Sequence, residues 1–64
     1  MTPQIAERFK MLVIQMEPEN LYQDGERSRS AAERERRRLR REWGALERAA
    51  GRPVTESEIW SLFQ

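Results

Sequence analysis

Apolar positions recur at helical spacing in three stretches of this chain and thin out between them. In the first, Ile5, Phe9, Leu12, Val13 and Met16 fall on one face at about 100° per residue, which predicts a helix over 2–16. Thr2 is placed to cap it, and Pro3 sits at the first helical position, where a missing N–H costs nothing. Met11 and Ile14 point to roughly the opposite side, beside Glu7 and Lys10. A helix with apolar residues on two sides generally touches two partners. Pro18 ends the pattern at or before Glu17, because the residue before a proline disfavours helical backbone.

Residues 17–29 read as a connection. Asp24-Gly25 is its turn signal, and Leu21 and Tyr22 are expected to plug one end of the core. The second periodic stretch predicts a helix over 30–50, about 30 Å long at 1.5 Å per residue. Ser30 and Glu33 have the spacing of a capping box. Ala32, Leu39, Trp43, Leu46 and Ala50 share a face about 60° wide. Gly51 suits a left-handed helix end and Pro53 forbids continuation. Gly44, inside the helix, costs about 1 kcal/mol relative to alanine. It marks either a close helix approach or a tolerated defect.

The third stretch predicts a short helix over 55–63. Thr55 and Glu58 form a second capping box, and Val54 and Ile59 occupy the two positions of a hydrophobic staple. Ile59, Trp60, Leu62 and Phe63 crowd the last turns and are expected to dock on the helical pair or on a second subunit.

These elements predict one all-α domain spanning 1–64: an antiparallel hairpin of helices 2–16 and 30–50, with the 55–63 helix closing one end. A chain of 64 residues buries little of its surface. It has no cysteine, so disulfides and thiolate metal sites are excluded. Oligomerisation is the remaining route to stability for so small a scaffold. The longer helix overhangs the first by about two turns, which adds to the expectation of a homodimer. Met11, Ile14, Trp60 and Phe63 are the candidate self-association residues. Ordinary core packing is the competing account of Trp60 and of Trp43.

Charge changes this picture. Eight arginines and two glutamates between Arg27 and Arg41 give that block a formal +6. Five acids against two bases leave residues 1–26 at −3, and four against two leave residues 42–64 at −2. The small net charge of +1 thus hides a polarised molecule. On a helix, Arg34, Arg37, Arg38, Arg41 and Arg48 gather opposite the Leu39/Trp43/Leu46 face, a candidate stripe for phosphate or for an acidic partner. Arginine suits bidentate phosphate contact better than lysine, and the chain has eleven arginines and one lysine. The competing account is a solvated, salt-bridged face. Helical spacing pairs Glu33 with Arg37, Glu35 with Arg38 and Arg38 with Glu42, leaving Arg34 and Arg41 least neutralised. No aromatic side chain lies in the stripe for base stacking, and no Asn or Gln beside it to read adenine.

The run Ala31–Arg38 resembles the basic region of basic-leucine-zipper proteins in flavour, but the asparagine such regions use is absent and no leucine heptad follows. A helix-turn-helix reading of 51–60 would put Glu56 and Glu58 against phosphate. In size, arginine usage and the Asp24-Gly25-Glu26 and Ser28-Arg29 segment before a long helix, the chain resembles small orphan proteins scattered through bacterial and prophage genomes. That resemblance implies no activity and transfers no site residues.

Catalysis has no visible basis: there is no histidine, no cysteine and no glycine-rich phosphate loop. No enzyme, cofactor or metal is therefore expected. No apolar run approaches the ~20 residues that span a bilayer, and the N-terminus lacks a basic region before an apolar core. No membrane association and a cytoplasmic location are expected, in a prokaryote or its virus. The functional expectation is a non-enzymatic helical interaction module that self-associates and binds another protein. The alternative is a small nucleic-acid-binding protein using the arginine stripe.

Overall fold

The computed structural model describes residues 1–64 as four helices and no strand: α1 Pro3–Met16, α2 Pro18–Leu21, α3 Arg29–Ala50 and α4 Glu56–Leu62. The fold is all-α, and α1 and α3 form its antiparallel hairpin. Ile5 meets the end of the core where Ala50 lies, and Leu12 and Met16 meet Ala32 and Leu39. No helix is long and apolar enough to cross a membrane.

Local chemistry accounts for the helix ends. The Thr2 hydroxyl accepts from the Ile5 amide at 3.2 Å, with Pro3 opening α1. Pro18 ends α1 as expected, but it also opens the one-turn α2, since a proline that cannot continue one helix is well suited to start the next. The connection is therefore not a simple loop. Beyond α2, Gln23, Asp24 and Gly25 all have positive φ and swing the chain toward α3. The Arg27 amide and guanidinium hold the turn by donating to the carbonyls of Tyr22 and Leu21, each at 3.0 Å.

The cap of α3 differs from expectation. Ser28, not Ser30, accepts from the amide three residues on, that of Ala31, at 3.2 Å. Glu33 is thereby released from a capping box and pairs with Arg29 at 3.4 Å. At the other end Gly51 is left-handed (φ 80°), as its place after the helix requires. Thr55 caps α4 through the Glu58 amide at 3.2 Å. The Glu58 carboxylate does not complete a box; it pairs with Arg52 instead.

The core has two lobes. Phe9, Val13, Val54 and Ile59 form one, flanked by Ile5, Trp43, Leu46, Ala50 and Trp60. Leu12, Leu21, Ala32 and Leu39 form the other. Phe9 and Trp43 meet edge to face at 4.6 Å between ring centroids, a favoured aromatic geometry. Val54 is clasped from α3: its carbonyl accepts from Trp43 Nε1 at 3.0 Å, and its amide donates to Glu47 at 2.9 Å. One turn of α3 thus satisfies both polar groups of a buried loop residue, which anchors the chain leading into α4. Helix α4 then packs on α1.

The overhang of α3 is covered within the chain. Leu21 of α2 is 1% exposed against Ala32 and Leu39. Docking of the C-terminus is partial: Ile59 and Trp60 join the core, whereas Leu62 and Phe63 remain 56% and 38% exposed.

Candidate functional site

Helix α3 has a buried side and a bare one. Ala32 and Leu39 are fully buried, and they hold the helix in register against α1. Arg34, Arg37, Arg41 and Arg48 lie within a sector about 60° wide directly opposite Leu39. All four are exposed. They span fifteen residues, about 21 Å along the axis.

The ion pairs decide which arginines are free. Arg38 is not. It donates through Nε to both Glu35 oxygens at 3.1 Å, its Nη2 also contacts Glu35, and Nη1 reaches Glu42 at 2.6 Å. That hydrogen bonding holds the Glu35 carboxyl below its ordinary pKa and raises the Arg38 guanidinium. Both pairings match the spacing expected from the sequence. The expected Glu33–Arg37 pair does not form, because Glu33 turns to Arg29. Arg34, Arg37, Arg41 and Arg48 have no carboxylate within salt-bridge distance. The stripe therefore loses Arg38 and keeps Arg37. The residue missed from the sequence is Arg37 as a free cation. Its signal was the second serine, Ser28, one helical step before Arg29.

Of the remaining arginines, Arg27, Arg29 and Arg52 are engaged, whereas Arg8, Arg36 and Arg40 are exposed without a carboxylate partner but lie outside this sector. Arg27 is spent on the turn and Arg52 on Glu58 and the Pro53 carbonyl. Arg40 borders a cleft with Met16, Trp43, Glu47, Val54 and Glu56. That cleft holds two carboxylates but sits over the Val54 clasp, and Glu47 is already an acceptor there.

The self-association candidates differ in their surroundings. Met11, 51% exposed, borders a groove between α1 and α3 with Arg8, Gln15, Glu42, Ala45 and Leu46. Ile14 is half-buried, and its carbonyl accepts from Asn20 Nδ2 at 2.8 Å. Trp60 packs on the Phe9 lobe. Phe63 lies under Lys10, with Nζ 4.6 Å from the ring centroid, a cation–π contact.

No protein-family model matches the chain, and neither the curated proteins nor the solved structures contain a match to it.

Proposed function

We propose that this protein is a non-enzymatic interaction module whose working surface is the outer face of α3, and that the surface binds the phosphate backbone of nucleic acid. The observation that carries this reading is the row Arg34, Arg37, Arg41 and Arg48, exposed on one face with no carboxylate partner. A protein partner would need more than charge. Protein interfaces combine arginine anchors with apolar or aromatic ones at their centre, and the sector holding these arginines has no apolar or aromatic side chain. A polyanion needs only the guanidinium row, which suits phosphate oxygens by its planar fork of donors. Release of condensed counterions supplies the affinity. This reading reverses the order of preference drawn from the sequence, and the release of Arg37 is the reason.

The test is fluorescence anisotropy of a labelled oligonucleotide titrated with protein across a salt series. Each phosphate contact removed costs roughly tenfold in affinity at ~0.1 M salt. Arg37→Ala is expected to show that loss, and Arg38→Ala much less, since Arg38 is held by two glutamates. Absence of salt-dependent binding to any nucleic acid would overturn the reading.

Self-association is a second reading, supported by exposed Met11 beside the α1–α3 groove of about 400 Å³. Apolar side chains in the groove lie between Arg8 and Glu42, one charge of each sign. Such a patch is self-complementary across a two-fold axis. Sedimentation equilibrium of the protein and of Met11→Glu distinguishes a dimer through this groove from a monomer.

A further inference from the structure

We infer that the α3 arginine row is built for double-stranded rather than single-stranded nucleic acid. This rests on the phosphate-binding reading above and narrows its ligand.

Single-strand binders combine a basic track with aromatic side chains on which exposed bases stack, each stacked base contributing a substantial share of the affinity. This chain has five aromatic residues, and none is available to the row. Phe9 is fully buried. Trp43 is turned inward, edge-on to Phe9 and bonded to the Val54 carbonyl. Tyr22 and Trp60 pack against the two core lobes. Phe63 is the most open, but it lies beyond the end of α4, under Lys10 of α1. The row occupies the side of α3 opposite α1, so Phe63 and the arginines face different ways.

The row is also straight and fixed. It rides on one uninterrupted helix of 22 residues whose inner face is locked by Ala32 and Leu39. Four cations spread along about 21 Å of one helix axis oblige a flexible strand to give up conformational freedom to track them, whereas a duplex is already stiff. They match a stiff rod carrying one phosphate charge per about 1.7 Å of axis. The higher charge density of the duplex also returns more free energy per contact. Four contacts give a log–log salt slope of about −3.6 on duplex and about −2.8 on single strands. Carried from 1 M to about 50 mM salt, that difference is roughly tenfold in favour of duplex.

The experiment compares a mixed-sequence 20-base-pair DNA duplex with each of its separated strands. It measures anisotropy across a salt series from about 50 to 300 mM. A poly-glutamate competitor serves as the acidic-polypeptide arm. The expected result is duplex binding about tenfold tighter at the lowest salt, with a slope near −3.6 that falls by about 0.9 in Arg37→Ala and is retained in Arg37→Lys. Helicity by circular dichroism confirms that each variant is folded. Single strands bound as tightly as duplex, or more tightly, would overturn this inference and leave the phosphate reading standing. Binding to poly-glutamate alone would overturn both.

Discussion

The two faces of α3 are made by the same helix and obey opposite rules. On the inner face every position is decided by contact: Leu39 and Ala32 are fully buried, and Trp43 has both its ring and its Nε1 placed by neighbours. On the outer face no carboxylate from elsewhere in the chain pairs with the arginines, and pairings within the helix set which are neutralised. Arg38 has a glutamate three residues before it and another four after. Arg37, one residue away, has Glu33 four residues before it, but that carboxylate pairs with Arg29 instead. A shift of about 100° around the helix separates a spent cation from an available one. Composition alone does not make a basic site. The position of each acid relative to each base does.

The largest expected effect comes from breaking the inner face. Leu39→Ala empties a site with no exposed surface and should cost about 2–5 kcal/mol. In a domain this small, that is enough to lower the denaturant midpoint sharply or abolish folding. A stability loss within about 0.5 kcal/mol would show that the inner face is not what holds α3.

The next effect tests the boundary between the faces. Glu47→Ala leaves the Val54 amide without its acceptor and should cost about 1–3 kcal/mol by thermal or chemical denaturation. Glu47→Gln keeps an acceptor and should lose less. Equal losses would mean that the carboxylate acts through its charge rather than through the clasp.

Gly44 lies beside the outer row. A Cβ there meets only the far end of Arg48, at 3.8 Å. The glycine is therefore not required for close helix approach, and Gly44→Ala should stabilise the protein by up to about 1 kcal/mol. Nucleic-acid affinity should be unchanged. Destabilisation would point to an approach by a second chain at this position.

The smallest effect is that of acid. Glu35 and Glu58 are held below the ordinary carboxylate pKa, chiefly by hydrogen bonds from Arg38 and Arg52. A depressed folded-state pKa contributes stability that is fully present above the unfolded value, about 4.3 for glutamate. It is lost as pH falls through the folded value. Melting temperature should therefore decline below about pH 4, and less steeply in Glu35→Gln. Both pairs are surface-exposed, so the change is small. Protonating Glu35 also removes one of the two carboxylates that hold Arg38, so duplex affinity should rise slightly over the same pH range. An affinity independent of pH there would erase the contrast between Arg37 and Arg38.

Much of the architecture was legible in the order of residues. Thr2-Pro3, Gly51 and Thr55 mark helix ends because the cap, the fixed proline φ and the left-handed glycine are local demands, met by one or two residues. The inner faces of α1 and α3 follow from the 3.6-residue period alone. The sequence places the start of α3 at Ser30, but Ser28, which also offers a hydroxyl three residues before an amide, is its cap. Local chemistry favoured Ser30 with its Glu33. The turn through Gln23, Asp24 and Gly25, tied down by Arg27, delivers the chain to Ser28 instead. That choice moved Glu33 to Arg29 and released Arg37.

By itself, then, the sequence determined three of the four helices, α1, α3 and α4, their buried faces and the existence of a basic stripe, since each depends on residues within a few positions of one another. Tertiary structure decided what lies far apart in the chain. It placed Leu21 over the overhang of α3, fastened Val54 to Trp43 and Glu47, and turned Trp43 inward, away from the row of Arg34, Arg37, Arg41 and Arg48. Periodicity states which way a side chain faces along its own helix. It does not state what arrives from the rest of the chain to meet it, and at the outer row of α3 no carboxylate does.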